Sequence, residues 1–562
     1  MADRRARIGG GPVFRGRRVL LPFAAFFVCA VLARPGAAAD DLIPEFTTDQ
    51  MGGTLRRHLS AEPQTLNPLV TKDAYQDIIN GHIFESLITR DPDTLDWKPE
   101  LADRWEVSED GKTITFHIDP RAKFSDGTPV TADDVVFSVN TILNPEIDAA
   151  NLRSYYEDIE RCEKVDERTV RFIWKKTYFK SFEVSGAYAP IIPRRFYEFK
   201  DPKQFNDISD KLLGSGPYRF DKWTTGQQIV LVRNENYWRR PRAFDRITFR
   251  VIMEPQAYVQ AFLAGELDYI SVRPEWWIKL KKNPRAGKDF QMLRYQPPAG
   301  YRYIAWNNAR PPFTDWRVRR AMTHLIWREQ LVKHLLYDIA RVTTGPFWTG
   351  SKQYDQTIEP WAFDRAEALR LLADAGWEDR DQDGWIESAD GKRFEFELSM
   401  PAGLPVYRDM ARVLKEEFRR VGIQMNVRFY EWAVFITKLD NRDFDAISLA
   451  WTGSVEGDPN QIWHSAQIEG RGHNFISFRS AEADRLIELA RATLDEDKRN
   501  ALYHQFHRLL HDEQPYSFLW TSDALALVSA RLRNVKVHRL GLYPYEWWIL
   551  KDKRRGKGVG GS

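Results

Sequence analysis

Between Phe394 and Trp451 the apolar residues change their spacing four times, and this restricts the fold more than any other stretch of the chain. Phe394, Phe396, Leu398 and Met400 recur every second residue, as on a strand with one covered face. Val406, Met410, Val413, Leu414 and Phe418 then follow helical spacing. Ile423, Met425, Val427 and Phe429 alternate again, 432–440 reads as a short helix, and Phe444 to Trp451 is an apolar strand. A strand–helix–strand–helix–strand order implies a doubly wound α/β unit. In such sheets ligands sit beyond the carboxyl ends of the strands. Trp451 and the loop from Thr452 to Pro459 lie at such an end, where a Trp face, two carboxylates and free backbone amides would border a cleft. Trp451 as a core residue and Asp458-Pro459 as a plain turn fit the same letters equally well.

The earlier part of the chain has a different pattern. Thr113 to Ile118 alternates directly after the Asp110-Gly111 turn signal, and Thr169 to Trp174 alternates likewise, so 101–174 reads as β-hairpins. Between them Thr131 and Asp134 have capping-box spacing at the start of a helix. Residues 217–233 read as another hairpin, turning near Thr225-Gly226. Further on, Val318, Met322, Leu325, Val332, Leu335 and Leu336 predict one face of a long helix, and Asp364 with Glu367 caps another that stops at Gly376.

Charge and composition exclude several classes. The N-terminus has seven Arg and one acid, then an apolar run from Val19 to Ala33 and the small residues Ala37-Ala38-Ala39. This is the pattern of a cleaved secretory signal peptide, and the run is too short to span a bilayer. Removing 1–39 takes away six net positive charges and turns the formal charge from +3 to −3. The basic tail 551–562 contributes four positive charges, so the folded body sits near −7. A nucleic-acid protein would show the opposite sign, so no nucleic-acid partner is expected. Cys29 leaves with the signal, without a lipoprotein cleavage box, and Cys162 is then alone. An exported chain without a disulfide relies on core burial. The 20 Trp, 21 Tyr and 33 Phe suit large cores or a ligand-gripping surface.

Catalytic motifs are missing: there is no Gly-x-Ser-x-Gly, no Ser-x-x-Lys, no His-Glu-x-x-His and no phosphate loop. His504, His507 and His511 share a helix face but lack further ligands at metal spacing, so a core or solvated role is expected. Asp379-x-Asp381-x-Asp383-Gly384 has the oxygen spacing of a calcium loop, yet Asp390 stands where the bidentate Glu belongs. A polar turn explains the same residues, and no metal or cofactor is expected.

The run Lys123-Phe124-Ser125-Asp126-Gly127-Thr128-Pro129-Val130-Thr131-Ala132-Asp133-Asp134-Val135-Val136-Phe137-Ser138 resembles the signature of family 5 extracellular solute-binding proteins, the dipeptide, oligopeptide and nickel receptors of ABC importers. Ala61 to Pro68, Phe84-Glu85-Ser86-Leu87, Gly214 to Tyr218, Asn234 to Trp238, Pro312 to Asp315, Val318 to Ala321 and Ala375-Gly376-Trp377 agree in order, so the resemblance covers about 52–548. It implies an α/β, bilobal periplasmic-binding-protein fold of the three-subdomain type, with mixed sheets and a hinge. The expected division is 1–39 signal peptide; 40–85, 186–295 and 520–550 as a discontinuous core of lobe I; 86–185 as its accessory subdomain; 296–519 as lobe II; and 551–562 as a tail. In peptide-binding members a carboxylate just after a Trp pairs with the ligand's α-amino group. Trp451 matches that Trp and Gly453 lies in its loop, but Ser454 takes the place of the expected Asp and the loop is one residue longer, which leaves Glu456 or Asp458 to supply the charge. The stretch Thr71-Lys72-Asp73-Ala74-Tyr75 matches a second cleft-lining segment, which adds Asp73 and Tyr75. The implied function is the periplasmic substrate-binding component of an ABC importer, a monomer and not an enzyme. It would capture peptides and deliver them to an inner-membrane permease. A receptor for an oligosaccharide or a nickel complex (His464 lies near the cleft loop), a secreted hydrolase on this fold, and a sensory role are the alternatives.

Overall fold

The computed structural model describes residues 43–70, 73–469 and 472–554. Two large mixed sheets dominate it. One has seven strands, in the order Phe290–Tyr295, Ala524–Ser529, Tyr269–Ser271, Thr54–Leu59, Arg246–Val251, Gln228–Arg233 and Tyr218–Thr224. The other has six, in the order Ala340–Val342, Tyr516–Ser522, Tyr301–Trp306, Ala446–Trp451, Glu395–Pro401 and Gln424–Tyr430. Each sheet is the floor of one lobe, and the molecule has the bilobal periplasmic-binding-protein fold. The chain passes between the sheets at 296–300 and again at Asp523, where Tyr516–Ser522 ends and Ala524–Ser529 begins. These two short connections are the hinge.

In the second lobe the alternating stretches become strands, and the helical ones pack over them. Glu395–Pro401 pairs in parallel with both Gln424–Tyr430 and Ala446–Trp451, so the doubly wound unit is present. Along Tyr301–Trp306 the residues Tyr301, Tyr303 and Ala305 join one core cluster, while Ile304 and Trp306 join another, so both faces of the sheet are covered. The helix Pro405–Arg419 buries Tyr407, Met410, Ala411, Leu414 and Phe418. Fully burying a side chain the size of Leu or Phe is worth about 1.5–3 kcal/mol, enough to dock this helix firmly. Val413, counted above on the apolar face, is exposed, because it lies one helical step of rotation away from Leu414.

The long helix predicted from Val318 to Leu336 is two helices, Trp316–His324 and Arg328–Leu336. Leu325 and Ile326 close tight turns onto Ala321, Met322 and Thr323, and Arg328 starts anew, buried, with its guanidinium donating to the Phe518 and Trp361 carbonyls. The apolar spacing runs on across the break, so periodicity alone does not register it. The cap signals hold. The Asp364 carboxylate accepts the Glu367 amide at 3.0 Å, and Gly376 has φ +91°.

In the first lobe, Ala102–Val107, Thr113–Ile118, Thr169–Trp174 and Ile159–Lys164 form an antiparallel four-stranded sheet. Helix Ala132–Leu143 packs against it, and the Asp134 carboxylate accepts the Thr131 amide at 2.8 Å. Strands Tyr218–Thr224 and Gln228–Arg233 form the expected hairpin around Gly226, whose φ is +70°. Cys162 is buried and its thiol is pushed up by burial. Among the described residues, no helix is long and apolar enough to cross a membrane. The signal-peptide reading of 1–39 and most of the tail, 555–562, lie outside the described residues.

Candidate functional site

The candidate cleft loop leaves the carboxyl end of strand Ala446–Trp451, next to Glu395–Pro401. Trp451 pairs across the sheet with Tyr301 and is half-buried. One side of its ring lies over Phe475, 6.2 Å away and 5° from parallel, and its indole N–H points to the Tyr516 hydroxyl at 3.4 Å. The Trp is thus both a packing residue and part of a surface.

The loop then presses against the hinge. A Cβ on Gly300 would stand 1.7 Å from the Trp451 carbonyl oxygen, and one on Gly453 would stand 2.3 Å from the Ala299 carbonyl carbon. Only glycine lets two backbones approach so closely. The start of the loop and the 296–300 connection therefore form one unit.

Beyond Ser454, which is exposed, the loop's polar groups meet partners from within the chain. The Glu456 carboxylate accepts two bonds from Arg499, at 2.9 and 2.6 Å. Gln353 bonds both the amide and the carbonyl of Gly457, at 2.6 and 2.8 Å. Asp458 accepts from Arg491 Nε at 3.0 Å, from the Tyr178 hydroxyl at 2.8 Å and from the Asn460 amide at 3.1 Å. Tyr178 belongs to the first lobe, between strand Thr169–Trp174 and helix Ser181–Ala187. Two residues on, Lys180 reaches the Glu456 carbonyl at 2.8 Å. The loop is thus a point where the lobes meet.

Val455 faces a crevice of about 490 Å³ on the first lobe, bordered by Tyr188, Glu183, Arg90, Trp97 and Glu100. Burial and the neighbouring Glu85 push the Glu100 carboxyl up to about 8, against the pull of Arg239. Glu85 itself accepts from the Tyr237 hydroxyl at 2.7 Å and from the Trp238 indole at 3.1 Å.

Asp73 and Tyr75 are engaged locally. Asp73 caps helix Ala74–Asn80 by accepting the Tyr75 and Gln76 amides at 2.9 Å, and it also takes the Gln64 amide at 3.2 Å. The Tyr75 hydroxyl bonds Ser60 at 2.7 Å. Their neighbours Thr71 and Lys72 lie outside the described residues.

Comparison with known proteins places this architecture. Residues 96–471 match the family described as "Bacterial extracellular solute-binding proteins, family 5 Middle". The oligopeptide-binding protein AppA of Bacillus subtilis is 30% identical over 516 residues, covering 89% of this chain and 92% of that protein. The chain belongs to the family 5 extracellular solute-binding proteins. The structure of AppA in complex with a nonapeptide superposes with a TM-score of 0.77 at 28% identity, over 89% of this chain and all of that one. The dipeptide-binding protein of Escherichia coli K12 is 25% identical over 518 residues, covering 86% and 92% of the two chains. NikA from Brucella suis, in complex with Fe(III)-EDTA, reaches a TM-score of 0.78 at 23% identity over 88% and 99% of the chains, a likeness of fold.

Within this family 5 fold the other sequence candidates make the following contacts inside the chain. His504 bonds the Lys352 carbonyl at 2.9 Å; His507 lies between the Thr344 hydroxyl at 3.0 Å and the Asp355 amide at 3.2 Å; His511 stacks on Trp361 at 4.9 Å. His464 caps a short helix through the Ala466 amide and meets Glu488 at 3.2 Å. In the acidic turn, Asp383 pairs with Arg393, and Asp390 takes the Ser388 hydroxyl. The carboxylates that the fold gathers are Asp379, Asp381 and Glu387, with oxygens within 4.8 Å of one another, so Glu387 and not Asp390 or Asp383 completes the group. Tyr178, Lys180, Gln353, Arg491 and Arg499 were not legible as site residues. They carry no motif, and Tyr178 is 280 residues from the carboxylate it binds.

Proposed function

We propose that this protein is the periplasmic peptide receptor of an ABC importer, which closes its two lobes over a peptide and hands it to an inner-membrane permease. The observation that carries this reading is the Trp451–Asp458 loop: it leaves the carboxyl edge of the second sheet, packs on the hinge and touches the first lobe, so it senses both cleft and closure. AppA and the E. coli relative bind oligopeptide and dipeptide, as their names say, and the backbone-to-backbone recognition of an extended peptide fits a loop with exposed amides and an aromatic wall. Trp451, Gly453 and Ser454 are assigned to the ligand-facing wall, with Asp73 and Tyr75 holding the second cleft segment in shape. Residues 1–39 are assigned as an export signal cleaved near Ala39 without lipid attachment, and the mature receptor is assigned as a monomer that performs no chemistry on its cargo. Closure follows from contacts that the ligand makes with both lobes.

The test is native mass spectrometry of protein purified from its own periplasm, followed by calorimetry with synthetic versions of whatever co-purifies. Peptides of defined length that rebind, and that bind Trp451→Ala about tenfold or more weakly for the loss of a stacked aromatic wall, support the reading. A co-purifying sugar or metal chelate with no peptide refutes it.

A further inference from the structure

We propose that Tyr178-Phe179-Lys180 is a specificity element: it satisfies the cleft loop with the chain's own groups, so that capture does not depend on a free α-amino terminus on the ligand. This rests on the peptide reading of the cleft.

The segment belongs to the first lobe, touches the second through Asp458 and Glu456, and is anchored within its own lobe. It follows strand Thr169–Trp174, and Ser181, which opens the next helix, donates through its hydroxyl to the Gly111 carbonyl at 3.0 Å. At its centre the Phe179 amide donates to the Arg491 carbonyl at 2.9 Å, while the Phe179 ring lies under the Arg499 guanidinium at 4.7 Å. On one side the Tyr178 hydroxyl donates to Asp458, and the ring of Tyr178 stacks under Arg491 at 4.7 Å. On the other side the Lys180 ammonium, only 3% exposed, donates to the Glu456 carbonyl and the Tyr188 hydroxyl, both at 2.8 Å, with Glu183 at 3.4 Å.

Charge accounting gives the consequence. A ligand ammonium needs an acidic group that lacks a cation. In this loop Arg499 occupies Glu456, and Arg491 with Tyr178 occupies Asp458. Burial by itself would push the Lys180 ammonium down, but Glu183, the Tyr188 hydroxyl and Asp458 together outweigh it and raise it, so it stays charged. An incoming ammonium would displace a buried Tyr hydroxyl and an Arg and would meet the Lys180 charge. Leaving such groups without partners is unfavourable. A serine stands at 454, where the resemblance expects an aspartate, so that position supplies no carboxylate.

The experiment titrates the mature wild-type protein with a defined-length peptide pool in two forms, free and N-acetylated, by calorimetry. The expected result is equal affinity within about threefold, since no buried ion pair is lost on acetylation. Binding of the free pool with a loss of about a hundredfold or more on acetylation overturns the proposal and leaves the peptide reading intact. Failure of both forms to bind removes the peptide reading and the proposal with it. Asp458→Asn, which keeps the side-chain shape, supplies a second readout. If Asp458 holds the segment, the variant shifts both forms by the same factor; a shift confined to the free form overturns the proposal. Tyr178→Phe is expected to follow Asp458→Asn in both forms.

Discussion

Asp523 is the residue on which the hinge geometry can be tested most directly. It is the whole connection between a strand of one sheet and a strand of the other. Its carboxylate, 4% exposed, accepts from Arg294 at 2.6 Å and from Arg341 at 3.0 Å. Arg294 lies in the seven-stranded sheet's outer strand, Phe290–Tyr295, and also donates to the Asp338 carbonyl at 2.8 Å, while Arg341 lies in the edge strand of the other sheet. One anion thus ties both lobes at their pivot. The two guanidinium groups are 41% and 51% exposed, so water takes over part of their solvation once the anion is gone. This lowers the cost from the several kcal/mol of a fully buried pair to about 1 kcal/mol per contact. Asp523→Asn is therefore expected to cost about 2 kcal/mol in urea denaturation, and the cycle of Arg294→Ala, Asp523→Asn and the double variant should give a coupling of about 1 kcal/mol. Spin labels on the two lobes should report a broader distance distribution in Asp523→Asn. A coupling under about 0.4 kcal/mol, the scatter of independent sites, with an unchanged distance distribution would refute the pivot argument.

Two further outcomes follow from the packing. Gly300→Ala drives a methyl into the Trp451 carbonyl, which no rotamer change relieves, and should cost more than about 1–3 kcal/mol, whereas Gly457→Ala in the same loop meets nothing nearer than 3.6 Å and should be neutral to about 0.5 kcal/mol; equal denaturation midpoints for the two would be inconsistent with the close approach. Burial, and then the neighbouring His511, lower His507 to about 3, so the native state keeps it neutral while the unfolded chain takes up a proton below its ordinary value near 6.5. The stability contributed by the neutral form is complete above about 6.5 and is lost as pH falls towards 3, and His507→Gln should flatten that acid limb of the urea midpoint; parallel curves for variant and wild type would rule this out.

Much of the second lobe was legible because its elements obey one period at a time. Pro405–Arg419 and Gln424–Tyr430 each bury one face, and that need is written into the spacing of Met410 and Met425; Glu395–Pro401 keeps the alternation of Phe396, Leu398 and Met400 although Ser399 on its other face is buried too. Caps were legible for a similar reason, since Asp364 and Asp134 each accept an amide three residues away. The break at Leu325 was not, because a chain can turn while its apolar pattern continues.

By itself, then, the sequence determined most local elements, the succession of strands and helices in the doubly wound unit and the family, all of which depend on neighbours in the chain or on motifs repeated in order. The tertiary structure alone decided what the acidic loop does. Whether Glu456 and Asp458 await a ligand or are already matched depends on Arg499, Arg491, Tyr178 and Lys180, brought there from 33 to 280 residues away. A carboxylate's availability is set by the charges within a few ångströms of it, and distance along the chain carries no record of them.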